Sequence, residues 1–397
     1  MQLVGRAAGE HLTYCTNVHA GEDLASVRRA LAAHVPRVKA HVAPDSAFGV
    51  GLRLSAAAAE ALADPDALRD VAAELAAMNA YVFTVNGFPY GAFHGETVKT
   101  RVYEPDWATE DRLAYTDRLA TILAALLPQG VTGSISTVPL GFGPASATRR
   151  AAMTDMLLRH VAHLVAIRRR CGADIALALE PEPACLIETI AGACAYFERE
   201  LFTERAAGRL AAIAGLSGTQ AAEAIRHHLG LCYDTCHAAV EFEDPAASIR
   251  ALRSADIRIV KVQLSSALRI PALTPDSVAA LRDFDETTYL HQVVARKDGQ
   301  LHHYLDLPMA LAEADAMAGA EWRVHFHVPI FLDTLDGFAT TQPFLRDILA
   351  LHRQTPLSTH LEVETYTWNV LPPEHRAIDL DAAIAREMGW VAAELTA

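Results

Sequence analysis

Positive charge is scarce in this chain: 34 Lys and Arg stand against 48 Asp and Glu, a formal charge of -14 over 397 residues. Affinity for a phosphate backbone is drawn from clustered cations, so a nucleic-acid enzyme is disfavoured and no nucleic-acid partner is expected. Long apolar runs are missing as well. None approaches the roughly 18 to 20 residues of a membrane span. Met1 is followed by Gln2-Leu3-Val4-Gly5-Arg6, with no apolar stretch of signal length behind a basic start, and the expectation is a cytoplasmic protein. The six cysteines, Cys15, Cys171, Cys185, Cys194, Cys232 and Cys236, are scattered and form no Cys-x-x-Cys pair. Neither a disulfide framework nor a structural zinc knuckle is expected from them. No candidate strand leads into a Gly-x-Gly-x-x-Gly loop, which removes the usual evidence for a dinucleotide-binding sheet.

What is present is a large core, with 51% apolar and 21% charged residues, and a regular alternation of segment types. Apolar or β-branched runs alternate with longer Ala/Leu/Arg/Glu runs of helical period, the pattern of repeated βα units around a parallel sheet. Eight strands are expected: Leu12–Val18, Phe48–Leu54, Tyr81–Asn86, Gly133–Leu140, Ile175–Leu179, Leu229–Tyr233, Ile257–Leu264 and Leu361–Thr365. Eight strands with interleaved helices predict a single α/β domain over 1–397, a (β/α)8 TIM barrel. Lys297-Asp298-Gly299-Gln300 between two partly alternating runs predicts a β-hairpin. It lies in an insertion over about 267–320, at the barrel mouth between the last two strands. Trp322–Phe331 either completes that insertion or crosses the mouth.

In such a barrel, chemistry is placed where strands end. The fifth strand runs into Glu180-Pro181-Glu182-Pro183, the sixth into Asp234-Thr235-Cys236-His237, the seventh supplies Lys261 and Gln263, and the eighth Glu362 and Glu364. Alternation puts Glu180 with Glu182 on one face, and Glu362 with Glu364. Buried carboxylates so close repel unless a cation or proton neutralises them. A divalent metal is the economical explanation, and an oxygen-rich set of Glu, Asp and Gln suits Mn, Co or Mg, with Zn or Fe as further options. The blander reading of Asp234 and His237 is a helix cap and its first turn. His325 and His327, a same-face pair, either complete a second metal position or bind substrate hydroxyls. Lys261 either holds an oxyanion or neutralises Glu362. Asn86 opens a loop through His94 to Trp107 that is rich in aromatics and donors and suited to stacking a sugar ring. His19 and Asn17 end the first strand at the same mouth.

Through Leu-Glu180-Pro, Tyr-Asp234-Thr-Cys-His237, Val-Gln263 and Val-Glu364-Thr, the chain resembles the xylose isomerase-like TIM-barrel superfamily of sugar isomerases, ketose epimerases, inosose dehydratases and endonuclease IV-type enzymes. The resemblance implies Glu180 or Glu182, Asp234, Gln263 and Glu364 as ligands of a divalent metal. Gln263 stands where many members have His, a variant associated with inosose dehydratases. More narrowly, Asn86–Trp107 and Glu-Pro-Glu-Pro look like the EboE-type metabolite-traffic proteins.

The expected activity is metal-dependent proton transfer next to a carbonyl in a small polyhydroxylated metabolite, a sugar, sugar phosphate or cyclitol. Glu180 or Glu364 would move the proton, and His237 would orient substrate or act as acid. Lys261, His19, Asn86, His94, His325 and His327 are the candidate substrate contacts. Two alternatives stand beside it: a metabolite-binding barrel without turnover, and a zinc phosphodiesterase of the endonuclease IV type.

Overall fold

The computed structural model describes residues 1–3, 9–95, 97–372 and 379–396. Fourteen strands occur in these residues. In chain order they are β1 (His11–Tyr14), β2 (Phe48–Arg53), β3 (Ala80–Asn86), β4 (Gly133–Thr137), β5 (Ile175–Leu179), β6 (Leu229–Asp234), β7 (Ile259–Leu264), β8 (Leu268–Ile270), β9 (Val293–Lys297), β10 (Gln300–Tyr304), β11 (Glu321–Val324), β12 (Thr334–Leu335), β13 (Phe338–Thr340) and β14 (His360–Val363). Eight of them form one parallel sheet in the order β1-β14-β7-β6-β5-β4-β3-β2, with helices between successive strands: a (β/α)8 barrel. Each of the eight expected strands overlaps one of these.

The first and second strands close the ring through threonine hydroxyls. Thr13 Oγ1 donates to Gly49 O (2.8 Å) and accepts from Gly51 N (3.0 Å), and Thr16 Oγ1 accepts from Arg53 N (2.8 Å). Outward-facing Leu, Val, Ile and Phe of the strands pack under the helices in one continuous core. The inside of the ring is small and polar instead. Ser134 Oγ donates to Thr84 Oγ1 (2.7 Å), and Lys261 lies 2.5 Å from Glu362 with both side chains 0% exposed. Gly51 makes room for that pair. A Cβ there would sit 1.9 Å from Glu362 Oε1 and 2.7 Å from Tyr14 O.

Helix starts are written in local side chains. Asp23 and Ser26 form a capping box, as do Ser217 with Gln220 and Thr274 with Ser277. Asp64-Pro65 and Asp244-Pro245 combine an accepting N-cap with a proline that has no N–H to lose. No helix of the described residues is long and apolar enough to cross a membrane.

Between β7 and β14 the chain builds a second, antiparallel sheet in the order β10-β9-β11-β8-β13-β12. Lys297 pairs with Gln300 across Asp298 (φ 51°) and Gly299 (φ 80°), so the hairpin turns through two left-handed residues. The sheet reaches Thr340, twenty residues past the expected boundary at 320. Trp322 is within it, paired with Ile270 and Ala295. The residues after β11 then leave the sheet and pass over the barrel, carrying His325 and His327.

Glu387 of the C-terminal helix (Leu380–Thr396) pins that crossing segment to the end of the last barrel strand. It is fully buried, and its Oε1 accepts from Ile330 N (3.1 Å) and Thr365 Oγ1 (2.7 Å). Burial outweighs these donors and lifts its pKa from 4.5 to about 7. A carboxyl raised on folding stabilises the fold below its unfolded value, and that contribution is lost as pH climbs through the folded one. Glu387→Gln keeps a neutral group of the same shape. It is expected to match wild type near pH 5 and to exceed it above pH 7 by roughly 3 kcal/mol at most, read from denaturant midpoints. A wild type equally stable at the higher pH would overturn the assignment.

Candidate functional site

β5 hands over to Glu180, whose N–H donates to Thr137 O (3.1 Å), so barrel pairing extends one residue past the strand and fixes the carboxylate at the rim. β6 ends on Asp234, the N-cap of the helix Thr235–Val240. Its Oδ1 accepts from Cys236 N (2.7 Å), His237 N (3.0 Å) and Ser265 Oγ (2.7 Å). Oδ2 is buried with no partner. Capping and ligation therefore use different oxygens, and one does not exclude the other.

His237, in the first turn of that helix, meets His325 and His327 from the crossing segment. His237 Nε2 lies 3.1 Å from His325 Nε2, which lies 3.3 Å from His327 Nε2. Every Nδ1 faces an oxygen that can only accept: Pro181 O for His237 (3.0 Å), Gln292 Oε1 for His325 (2.7 Å) and Glu364 O for His327 (2.6 Å). Each ring therefore carries its proton on Nδ1 and turns a lone pair on Nε2 toward the other two. Burial, then the neighbouring His237 and His327, push His325 well below the ordinary histidine value. Burial likewise takes His327 to about 4. Imidazoles whose Nε2 lone pairs converge beside an orphaned carboxylate oxygen have the donor chemistry that could hold a metal ion. The atoms of Asp234, His237 and His327 lie within 4.8 Å of one another, as do those of Glu182, His237 and His325, and of Cys236, His325 and His327.

The carboxylates beside them are crowded. Burial, Glu364 and Asp234 together raise Glu180 well above the carboxylate range; burial, Asp234 and Glu362 do the same to Glu364. Glu180 Oε2 has no partner. Glu364 is held at one oxygen, where Oε1 accepts from Asn17 Nδ2 (2.8 Å) and Asn86 Nδ2 (2.9 Å). Burial would lift Asp234 too, but positive charge on His237 and His327, with the Ser265 hydroxyl and the His237 N–H, outweighs it and shifts its carboxyl below the usual range, so a proton or a cation held by the imidazoles favours the ionised Asp234. The cluster thus holds one carboxyl shifted toward its ionised form and two shifted toward their protonated forms.

Several expected site residues sit elsewhere. Lys261 lies a layer below the mouth, buried against Glu362 with Ser136 Oγ at 3.2 Å, and is not among the residues that line the cavity at the mouth. His19 is turned away because β1 stops at Tyr14 and a 3-10 turn follows. It stacks on His34 at 3.9 Å and shares a hydrogen bond with Tyr14. His94 supports the rim, between Asn17 O (2.6 Å) and the Tyr289 hydroxyl (3.1 Å). Asn86 lines the cavity, though its amide is spent on Glu364. Gln263 is buried at the expected strand end, but its Oε1 accepts from the Cys232 thiol (2.8 Å) and its Nε2 is the orphan. An amide turned by 180° would exchange the two and offer oxygen in place of nitrogen. Glu182 is bound by the Tyr103 hydroxyl (2.6 Å) and lies 3.4 Å from Gln292 Nε2. Sequence reasoning passed over Gln292, which orients His325 and touches Glu182, because a glutamine beside a hairpin carries no motif. Cys236 and Tyr103 were seen without this role.

No protein-family model matches the chain, and no curated protein does; the EboE-type resemblance therefore rests on its motif alone. Solved structures do resemble it. The probable 3-DHS dehydratase AsbF from Bacillus anthracis, involved in petrobactin synthesis, is 12% identical over 96% of this chain and 97% of its own, with a TM-score of 0.45. An IOLI protein with a binding zinc atom is 13% identical over 97% of each chain, TM-score 0.45. A xylose isomerase domain protein from Planctomyces limnophilus is 13% identical over 87% of this chain and 88% of its own, TM-score 0.47. Xylose isomerase-like barrels are thus among the structures similar to this one. At these identities and scores the likeness assigns no chemistry to the chain.

Three carboxylates in one dry site strain the metal-free protein. With metal removed by a chelator at about pH 8, Glu180→Gln is expected to melt higher than wild type by about 2–4 °C. A lower midpoint would show that Glu180 is stabilised where it stands.

Proposed function

We propose that the chain is a divalent-metal-dependent enzyme that moves a proton next to a carbonyl, as in isomerisation, epimerisation or dehydration of a small hydroxy-carbonyl metabolite. The observation that carries this reading is the convergence of three histidines, each with Nδ1 on an accepting oxygen, beside the free oxygen of Asp234, with Glu180 and Glu364 in the same cluster. His237, His325, His327 and Asp234 would hold the ion. Three imidazoles and one carboxylate favour zinc, iron or cobalt over magnesium, which moves the preference away from an oxygen-only set. Glu364 and a turned Gln263 are the oxygens available for a second position.

A bound divalent cation supplies Lewis-acid polarisation of a carbonyl oxygen. The protein's own groups do the rest. Burial and the neighbouring Glu364 and Asp234 raise the pKa of Glu180, and its Oε2 is free, so it is the carboxyl placed to take up and return a proton. Glu364 is clamped by two amides at one oxygen, which fixes the direction of the other. His237 is turned by Pro181 O into the imidazole set, so proton transfer falls to the carboxylates and not to it.

The imidazole-rich set also suits zinc hydrolysis of a phosphodiester, the second reading. Against it, the only Lys or Arg among the described cavity residues is Lys99, and Asp306 Oδ2 (2.7 Å) and Glu286 O (3.1 Å) hold its ammonium.

Elemental mass spectrometry of the purified protein tests the core of this reading. Near-stoichiometric zinc, iron, cobalt or manganese is expected in wild type and should be lost in Asp234→Asn and His325→Ala. Gln292→Ala, which frees the His325 ring without touching an ion, should weaken metal affinity by about 10- to 100-fold. Solvent deuterium exchange at the carbon next to the carbonyl of dihydroxyacetone, followed by NMR, should need the metal and vanish in Glu180→Gln with metal content unchanged. No metal after incubation with each ion would sink the proposal. Full metal with no exchange or turnover across sugars and cyclitols would leave a binding barrel.

A further inference from the structure

The floor of the cavity is polar, but its walls are largely apolar. Above Glu180, Glu182, His237, His325 and Glu364 stand Phe88, Phe93, Val98, Tyr289, Leu290 and Tyr366. Phe93, Tyr289 and Tyr366 form a triangle of rings with centroids 5.0–5.2 Å apart. The tyrosine hydroxyls around the wall are largely spent: Tyr103 donates to Glu182, and Tyr289 pairs with His94. The rings therefore offer faces more than hydrogen bonds. The loop that bears Phe88, Phe93 and Val98 is fastened across the mouth, with Val98 N and Lys99 N both donating to Thr288 O (2.8 and 2.9 Å). The cavity is small, with about 60 Å³ of room for the centres of water molecules.

A ligand entering this space meets a polar floor of carboxyl and imidazole groups and a wall made largely of apolar side chains and rings, with Asn17, Asn86, Lys99 and Tyr103 as its polar members. Hydroxyls distributed along its whole length would lose water against the wall and gain few partners. A phosphate would find one cationic side chain among the described cavity residues, Lys99, and that is already engaged by Asp306 and Glu286 O. We infer that the substrate is unphosphorylated and amphipathic: a hydroxy-carbonyl end addresses the floor, and an aromatic or aliphatic remainder fills the wall. This rests on the proton-transfer reading for the oxygenated end, whereas the wall preference stands on the wall alone.

Three compounds that share the hydroxy-ketone end separate the alternatives: 2-hydroxyacetophenone, dihydroxyacetone and dihydroxyacetone phosphate. Binding to the full chain is measured by calorimetry, once metal-loaded and once after chelation. The phenyl compound is expected to bind at least about tenfold tighter than dihydroxyacetone in both samples, because its ring is taken out of water. The phosphate should bind weakest. Val98→Thr, which is isosteric, and Leu290→Asn should each shrink the phenyl preference while metal content stays at the wild-type level; either variant suffices if the other fails to fold. Tighter binding of dihydroxyacetone or its phosphate, or binding of none of the three at millimolar concentration, overturns the inference. A phenyl preference in both samples without any gain from metal upholds the wall and counts against the metal-dependent reading, so the two fail separately.

Discussion

Three imidazole nitrogens, all deprotonated on the side where they meet, cannot rest 3.1–3.3 Å apart by mutual attraction, since lone pairs repel. Their positions are imposed from behind. Pro181 O belongs to the end of the fifth barrel strand, Gln292 to the antiparallel insertion, and Glu364 O to the end of the last barrel strand. Each carbonyl takes an Nδ1 proton and so dictates both tautomer and ring direction. Three parts of the chain that are distant in sequence must all be in place before the nitrogens converge. The insertion is therefore part of the site, because two of the three rings ride on the segment that leaves its sheet.

The same logic explains the cost the barrel carries. Its interior is filled with Thr, Ser, Ala, Cys and Gly in place of bulky branched residues, and one fully buried Lys261–Glu362 pair occupies the middle. Removing either partner would leave an uncompensated charge in a dry ring, and Gly51 admits the pair only by having no Cβ. Above it sit Glu180, Glu364 and Asp234 with free oxygens. A fold selected for stability alone would not stack acidic groups in two layers. The lower layer is neutralised by Lys261 and the upper one is not, which is where unspent charge is available for chemistry.

Much of this was legible in the chain. The alternation of apolar and helical runs located all eight barrel strands, because each strand has one face against helices and must be apolar on it. Strand ends pointed to Glu180, Asp234 and Glu364 for the same reason: a carboxylate closing an apolar run has to lie at a rim. Other features resisted. The antiparallel sheet was drawn too short because β12 and β13 are two and three residues long and show no period. His19 looked like a strand end only because the first strand was expected to run on to Val18, whereas it stops at Tyr14 and Thr16–Val18 form a 3-10 turn. Lys261 and Gln263 share a face, yet the pattern carries no depth, so the buried ion pair and the rim read alike.

Gln292 shows the harder limit. Its value lies in two contacts, one to His325 Nδ1 and one toward Glu182, and both partners are remote in sequence. No local pattern marks an amide whose work is to fix a tautomer elsewhere. Tertiary contact also decides the character of the walls. Phe93 comes from the loop after the third strand, Tyr289 from the insertion and Tyr366 from the turn after the last strand, and only the fold brings the rings within 5.2 Å of one another. Floor and wall thus have different origins. Barrel strand ends, a geometry this fold provides wherever a strand stops, supply the carboxylates, while loops and the insertion supply the rings, the tautomer-setting amide and two of the imidazoles. Selectivity can then be rebuilt by changing the insertion while the carboxylate floor stays as the barrel makes it.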